Sequence, residues 1–265
     1  MTEAKAHQVS TNSFNENHAI YDQVRPNFIP EAVDCLTNNL GLHEGSKVME
    51  LASGTGKFTK AIKDNGYDLV TVEPSVGMIE SFKKNFPDIP CVQGDSYKLP
   101  FDDNTFDAII IAQAFHWFAD DASMKELARV LKSGGKLGMI WNQEDLSDLP
   151  EDHWQVQVSK YILSFDGGVP QYRHMKWPLA IKGQSYVNPD YQDAYFKWQK
   201  KNNVEDIWPY WESRSYITAL PKEKKAEVKA KVEELLKIHV KSKDIDQNNQ
   251  ITSNRYAHVV WTTKP

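Results

Sequence analysis

The stretch Val48-Met49-Glu50-Leu51-Ala52-Ser53-Gly54-Thr55-Gly56-Lys57-Phe58-Thr59 constrains this chain more than any other. A short apolar run passes directly into a glycine-rich turn and then into helical spacing, so the stretch reads as strand, tight loop and a helix from about Lys57 to Asn65. Gly54 and Gly56 allow a ligand to lie against main-chain N–H groups, and the helix points its positive end at the same place. The loop departs from both the G-x-G-x-x-G dinucleotide fingerprint and the Gly-Lys-Ser/Thr ending of a phosphate loop. Glu50 precedes the turn, where a carboxylate repels a pyrophosphate and suits a cationic, amino-bearing ligand. A second strand, Tyr67 to Val72, ends in Glu73 about seventeen residues past Gly56, the usual place for an acid that accepts from two ribose hydroxyls. A nucleoside with a positively charged amino-acid tail satisfies both carboxylates.

Strand and helix patterns then alternate as far as Trp141, the sign of a doubly wound parallel sheet with ligands at the carboxyl ends of its strands. Glu50, Glu73, Asp95 and the segment Gln113 to His116 fall at such ends. Ahead of the loop, Ile29 to Leu40 has helical spacing, with Pro30 tolerated in its first turn and Gly41 just beyond its end.

These residues resemble the class I S-adenosylmethionine-dependent methyltransferases, over roughly residues 10–142. Glu50 to Gly56 is similar to the family's acidic-x-Gly-x-Gly-x-Gly loop, with Ala52 in place of the first glycine; Ala52 is expected to avoid a positive φ. Cys91-Val92-Gln93-Gly94-Asp95-Ser96 looks like the third strand and its turn, Phe106 to Phe118 like the fourth strand and the loop beyond, and Leu127 to Ile140 like a helix, glycine turn and fifth strand. The resemblance implies S-adenosyl-L-methionine as cofactor and a Rossmann-like, doubly wound, seven-stranded mixed α/β sheet. It implies cofactor contacts from Glu50, Ala52, Ser53, Gly54, Gly56, Glu73, Pro74, Asp95, Ser96, Gln113 and Ala114, with Asp95 recognising the adenine amino group. Met78 packs against the adenine or fills the core. Tyr21 and Arg25 match an N-terminal lid, the ring covering the sulfonium and the guanidinium holding a carboxylate.

The chain is expected to be one domain, 1–265, with a cofactor core at 10–142, an aromatic-rich helical cap inserted after the fifth strand at 143–219, and a final helix and closing strand at 220–265. Acceptor contacts are expected from Phe14, Tyr21, Phe115, His116, Trp117, Trp141, Tyr172, Arg214 and Tyr216. His116 is either a general base or a structural histidine in a tight turn. Because the only arginines of the cap are Arg173 and Arg214, a flat and mainly apolar acceptor is expected. The leading expectation is therefore methylation of a small phenol at its hydroxyl. A carboxylate acceptor giving a methyl ester, as in the trans-aconitate methyltransferases that the chain also resembles, is the alternative, followed by a ring-carbon acceptor and by a non-catalytic cofactor-binding protein. Pro221 to Lys241 reads as a helix with a solvated charged face, and Arg255 to Thr263 as a closing strand without chemistry.

The composition narrows the partners. A net charge of -5 and a pI near 5.9 oppose a broad nucleic-acid interface, which needs a basic face. Two cysteines, Cys35 and Cys91, make neither a disulfide framework nor a metal cluster, and no metal site is expected. The polar start Met1 to Gln8 and the lack of a long apolar run predict neither a signal peptide nor a membrane span. A cytoplasmic protein, monomeric or a weak homodimer, acting on a small-molecule acceptor is the expectation.

Overall fold

Strands whose two faces are both covered read as unbroken apolar runs, and Phe106-Asp107-Ala108-Ile109-Ile110-Ile111-Ala112 is one of them. In the computed structural model, which describes residues 24–265, this run is β4 at the centre of a seven-stranded sheet. The strands are β1 (Lys47–Leu51), β2 (Asp68–Glu73), β3 (Cys91–Gln93), β4 (Phe106–Ala112), β5 (Leu131–Glu144), β6 (Gln192–Asn203) and β7 (Gln250–Thr263). Their order across the sheet is β3-β2-β1-β4-β5-β7-β6. The first five are parallel, and β7 runs antiparallel to both β5 and β6. The expected mixed, doubly wound sheet is thus the observed one. Phe14 and Tyr21 lie outside the described residues.

Period-two alternation sends successive side chains of each strand to opposite faces. Val48, Ala108, Ile110, Ile140 and Val259 pack with helix α1 (Pro30–Leu40) on one face; Met49, Leu51, Ile109, Ile111, Met139 and Val260 pack on the other. That second face is closed by Met124 and Leu127 of α4 (Asp121–Val130) and by Trp177 and Ile181 of α6 (Trp177–Lys182). α1 begins with Pro30 and ends at Gly41, whose φ of 68° lets its N–H reach the Asn38 carbonyl at 3.0 Å. Between β1 and β2 lies α2 (Thr59–Ile62), four residues long and shorter than its sequence pattern suggested; α3 (Val76–Asn85) follows β2 with Ser75 as its N-cap.

Beyond β5 the chain forms a third apolar cluster. It joins α5 (Trp154–Leu163), α7 (Ile207–Glu212), α8 (Ser215–Thr218) and α9 (Lys222–His239) through Trp154, Ile162, Trp208, Trp211, Val228 and Leu235. Half of the cap aromatics therefore fill the cap's own core, while others, Tyr172 and Trp177 among them, pack on the sheet. Two sequence expectations change here. Residues 143–219 are not wholly helical, because β6 falls within them and pairs along its length with β7. The charged helix α9 is part of the cap, its apolar stripe buried against α5 and α7. Among the described residues, no helix is long and apolar enough to cross a membrane.

Candidate functional site

The site lies at the carboxyl edge of the parallel strands, where the strand order reverses between β1 and β4. The turn after β1 is held there by main-chain bonds, since the Val72 carbonyl accepts from Ala52 N–H at 2.7 Å and from Ser53 N–H at 3.3 Å. Ala52 does not avoid the left-handed region: its φ is 58°. The two bonds to β2 outweigh the roughly 1–2 kcal/mol that this conformation costs an L-residue. Gly54 and Gly56 follow at φ 59° and 89°. With α2 reduced to one turn and the N–H groups of Ala52, Ser53, Gly54 and Gly56 bonded within the protein, the two acids, more than a helix dipole, define the polarity of this place.

Both predicted acids face the turn. Glu73 accepts from Gly54 N–H and from Ser75 N–H, each at 2.9 Å, and so ties the end of β2 to the glycine loop. Glu50 accepts from the Thr59 hydroxyl at 2.5 Å through one oxygen, while its other oxygen, Oε1, is buried without a partner among the described residues. Burial pushes Glu50 up to about 8 despite the Thr59 hydrogen bond, and pushes Glu73 up to about 7 against the two N–H donors. Asp95 turns back on its own loop, accepting from Tyr97 N–H at 2.9 Å. Met78 and Ser96 are buried, Pro74 is half-buried, and Ala114 packs against the sheet core. Gln113, with φ 62°, donates through its side chain to the Asn142 carbonyl at 3.2 Å.

Beside Gln113 opens a cavity of about 180 Å³ between the sheet edge and the cap, room for about six waters. His116, Trp117, Tyr172, Arg214 and Tyr216, all among the residues expected to contact the acceptor, line it. Phe115 and Trp141 do not. Both are fully buried in the sheet core, Trp141 against Tyr172 and Trp177 at 5.0 and 4.9 Å between ring centroids. Arg25, expected over the cofactor, lies in this cavity wall and donates to the Ser213 carbonyl at 3.0 Å.

The electrostatics of the cavity are set in part by residues that the sequence did not single out, Glu144, Tyr210 and Arg255. One guanidinium nitrogen of Arg214 donates to both oxygens of Glu144 at 2.9 Å, Arg255 reaches the same carboxylate at 3.4 Å, and the Tyr210 hydroxyl also donates to it. Arg25, Arg214 and Arg255 stand 5.3, 5.4 and 4.5 Å from the centroid of the Tyr210 ring. Burial opposes the charge on Glu144, yet Arg214 and Arg255, with Tyr210 and Arg25, hold its pKa down to about 2. Three guanidinium groups thus meet one carboxylate. Only Arg214 belongs to the expected cap set; Glu144 ends β5, Arg255 lies on β7, and no local motif marks either.

His116 sits in the 3₁₀ turn after β4. Burial, then the nearby Arg214 and His174, push its pKa down to about 3, so the imidazole stays neutral. Its Nδ1, the Tyr216 hydroxyl and Arg214 Nε are each buried without a hydrogen-bond partner among the described residues, and all three side chains line the same cavity.

The family described as Methyltransferase domain matches residues 49–139. An uncharacterized methyltransferase-like protein of Schizosaccharomyces pombe is 32% identical over 243 residues, which is 91% of this chain and 93% of that protein. Among solved structures, the YcgJ protein of Bacillus subtilis superposes with a TM-score of 0.56 at 18% identity, covering 88% of this chain and 98% of its own. The [4+2]-cyclase SpnF gives a TM-score of 0.59 at 15% identity, covering 100% and 99%. At these identities the two structures share the fold with this chain.

Proposed function

The chain belongs to the class I S-adenosylmethionine-dependent methyltransferases, and we propose that the acceptor it methylates is a small organic acid, at a carboxylate oxygen. The cofactor is S-adenosylmethionine, and the loop fits it. Glu50 offers a buried, unpartnered carboxylate oxygen to an ammonium group, and a Cβ built on Gly54 would meet no atom within 4 Å, leaving the space above that residue open to a ligand. We assign Glu50, the open face of the 52–56 loop at Gly54 and Glu73 to hold it, with Asp95, Met78 and Gln113 around its far side. When bound it supplies an electrophilic methyl group: a carboxylate lone pair forms the O–C bond as the S–C bond breaks, giving a methyl ester and a neutral thioether with no proton to remove.

One observation carries the choice of acceptor. Arg214 Nε, a buried N–H donor, and the Tyr216 hydroxyl lack partners among the described residues in a cavity where guanidinium groups outnumber carboxylates, and a carboxylate accepts from both. His116 also supports this reading by what it is unable to do. A phenol near pKa 10 must lose a proton, and a base held near 3 is about seven units too weak to take it. His116 then serves as a neutral wall of the cavity. The rest of the protein's contribution is placement of the acceptor in line with the methyl group.

The test is methyl transfer from labelled cofactor to matched panels of small carboxylic acids and phenols, followed by mild alkali. Label in the acid panel that alkali releases as methanol is the expected result. Label confined to alkali-stable ethers of the phenol panel would refute the carboxylate acceptor.

A further inference from the structure

The sheet ends on two unequal edges. β3 is three residues long, whereas β6 runs for twelve and pairs with β7 in unbroken register, from Gln192 opposite Trp261 to Asn203 opposite Gln250. Among the described residues no strand meets its outer side. β6 holds neither a proline nor a bulge, two of the devices that close an edge to pairing. It holds lysines instead, at 197, 200 and 201, which discourage an arbitrary strand.

A second copy of β6 is not an arbitrary strand. Two identical strands that continue one sheet run antiparallel about a two-fold axis normal to it, so opposed residues share a face and differ by an even number of positions. Centred on Lys197, Asp193 stands opposite Lys201 of the second copy, and the symmetry makes this pair twice. On the same exposed row Tyr195 meets Gln199. On the half-buried row Phe196 meets Trp198, also twice, and Lys200 meets Ala194. Only Lys197 opposes itself, and its ammonium is already held by Asp148 at 2.7 Å and Asp145 at 3.2 Å. Each lysine is therefore matched. Moving the centre to Phe196 or to Trp198 sets Asp193 against Gln199 or Asn203 and removes both opposite-charge pairs.

We infer that β6 is the contact strand of a homodimer, in which two copies of this chain join antiparallel about Lys197 into one continuous sheet. About ten main-chain hydrogen bonds and the two Phe196–Trp198 pairs supply the attraction. The aromatic row extends packing already present, since Phe196 lies on the α1 face of the sheet and Arg255 stands 5.9 Å from the Trp198 ring. The exposed Asp193–Lys201 pairs fix the register more than the strength. The inference is independent of the acceptor.

Sedimentation equilibrium of the full chain over a concentration series should show a monomer–dimer equilibrium. Asp193→Lys alone sets lysine against lysine, and Lys201→Glu alone sets acid against acid. Each should raise the dimer dissociation constant by about tenfold or more. An equimolar mixture of the two variants regains both opposite-charge pairs in the heterodimer, and should return the constant to within about threefold of wild type. A Tm raised by S-adenosylhomocysteine shows that each variant is folded. Lys197→Cys should give a disulfide-linked dimer under mild oxidation, whereas the two copies of Gln199→Cys stand more than about 13 Å apart and should not. A strictly monomeric protein would leave this edge to a strand of another chain and overturn the inference. A dimer that neither charge variant weakens, an unrescued mixture, or equal cross-linking of both cysteine variants would overturn it as well.

Discussion

Replacing Glu50 by Gln should change how stability depends on pH, by an amount fixed by the burial of this carboxylate. Glu50 is 1% exposed and its pKa is pushed up to about 8 from an ordinary 4.5, chiefly by burial. A folded-state pKa above the unfolded one means that the folded protein binds more protons, so its stability is fully present below about pH 4.5 and falls as pH rises through about 8. The plateau cost of such a shift is about 5 kcal/mol, and the part that develops between pH 5 and pH 8 is roughly 3–4 kcal/mol. Glutamine retains a carbonyl for the Thr59 hydroxyl and has no charge to bury. Urea unfolding of the cofactor-free proteins, followed by tryptophan fluorescence at pH 5 and pH 8, gives the two differences directly. Wild type should lose roughly 3–4 kcal/mol more than Glu50→Gln over that interval; Glu73, present in both proteins, cancels except for its charge coupling to Glu50. Parallel losses, agreeing within about 1 kcal/mol, would show that Glu50 does not ionise against a desolvated site.

The same Glu50→Gln protein should bind S-adenosylmethionine at least tenfold more weakly by calorimetry, having lost the carboxylate that faces an ammonium group; unchanged affinity would remove Glu50 from the cofactor site. Arg214→Gln should raise the acceptor KM tenfold or more while leaving cofactor affinity alone, and Arg214→Lys should not restore it, because lysine has no second N–H group in the place of Nε while its ammonium holds Glu144. His116→Asn should keep kcat within about tenfold, and wild type should show no histidine limb in its pH–rate profile between pH 5 and 8, since this ring titrates near 3; a hundredfold loss would revive the base assignment. Ala52→Gly should be neutral or stabilising by up to about 1 kcal/mol in urea melts, relieving a φ of 58°. Gly56→Ala, whose Cβ would collide with the Phe86 ring at a φ of 89°, should cost about 3 kcal/mol or more.

The cofactor half of the site was legible in the sequence because each of its signals is local. A strand, a glycine turn and an acid at a strand end are set by short-range sterics and by the period of two, and Glu50, Gly54, Gly56 and Glu73 stand where that pattern puts them. The boundaries were less secure: α2 shrank to Thr59–Ile62, and Ala52 took the left-handed conformation because bonds to Val72 from across the sheet outweighed its own preference. Phe115 and Trp141 looked like pocket aromatics, but nothing in a linear pattern separates an aromatic that lines a cavity from one that fills the adjacent core.

The acceptor half was decided by tertiary structure. Glu144 meets Arg214 across 70 residues of sequence and Arg255 across 111, and Arg25 approaches the same Tyr210 ring from the other end of the chain. A count of cap arginines therefore predicted an apolar acceptor, while the folded cavity holds an excess of positive charge. His258 was assigned no contacts because a β-branched and aromatic run specifies only a strand; its partners arise when β7 inserts between β5 and β6 and brings Asp193 and Tyr172 to the same imidazole. The sequence by itself determined the fold class and the glycine loop with its two acids at the strand ends, since both are written in local backbone geometry. The charge of the cavity beside it was settled only by packing, because the field inside a cavity is the sum of charges that the chain brings together from everywhere along its length.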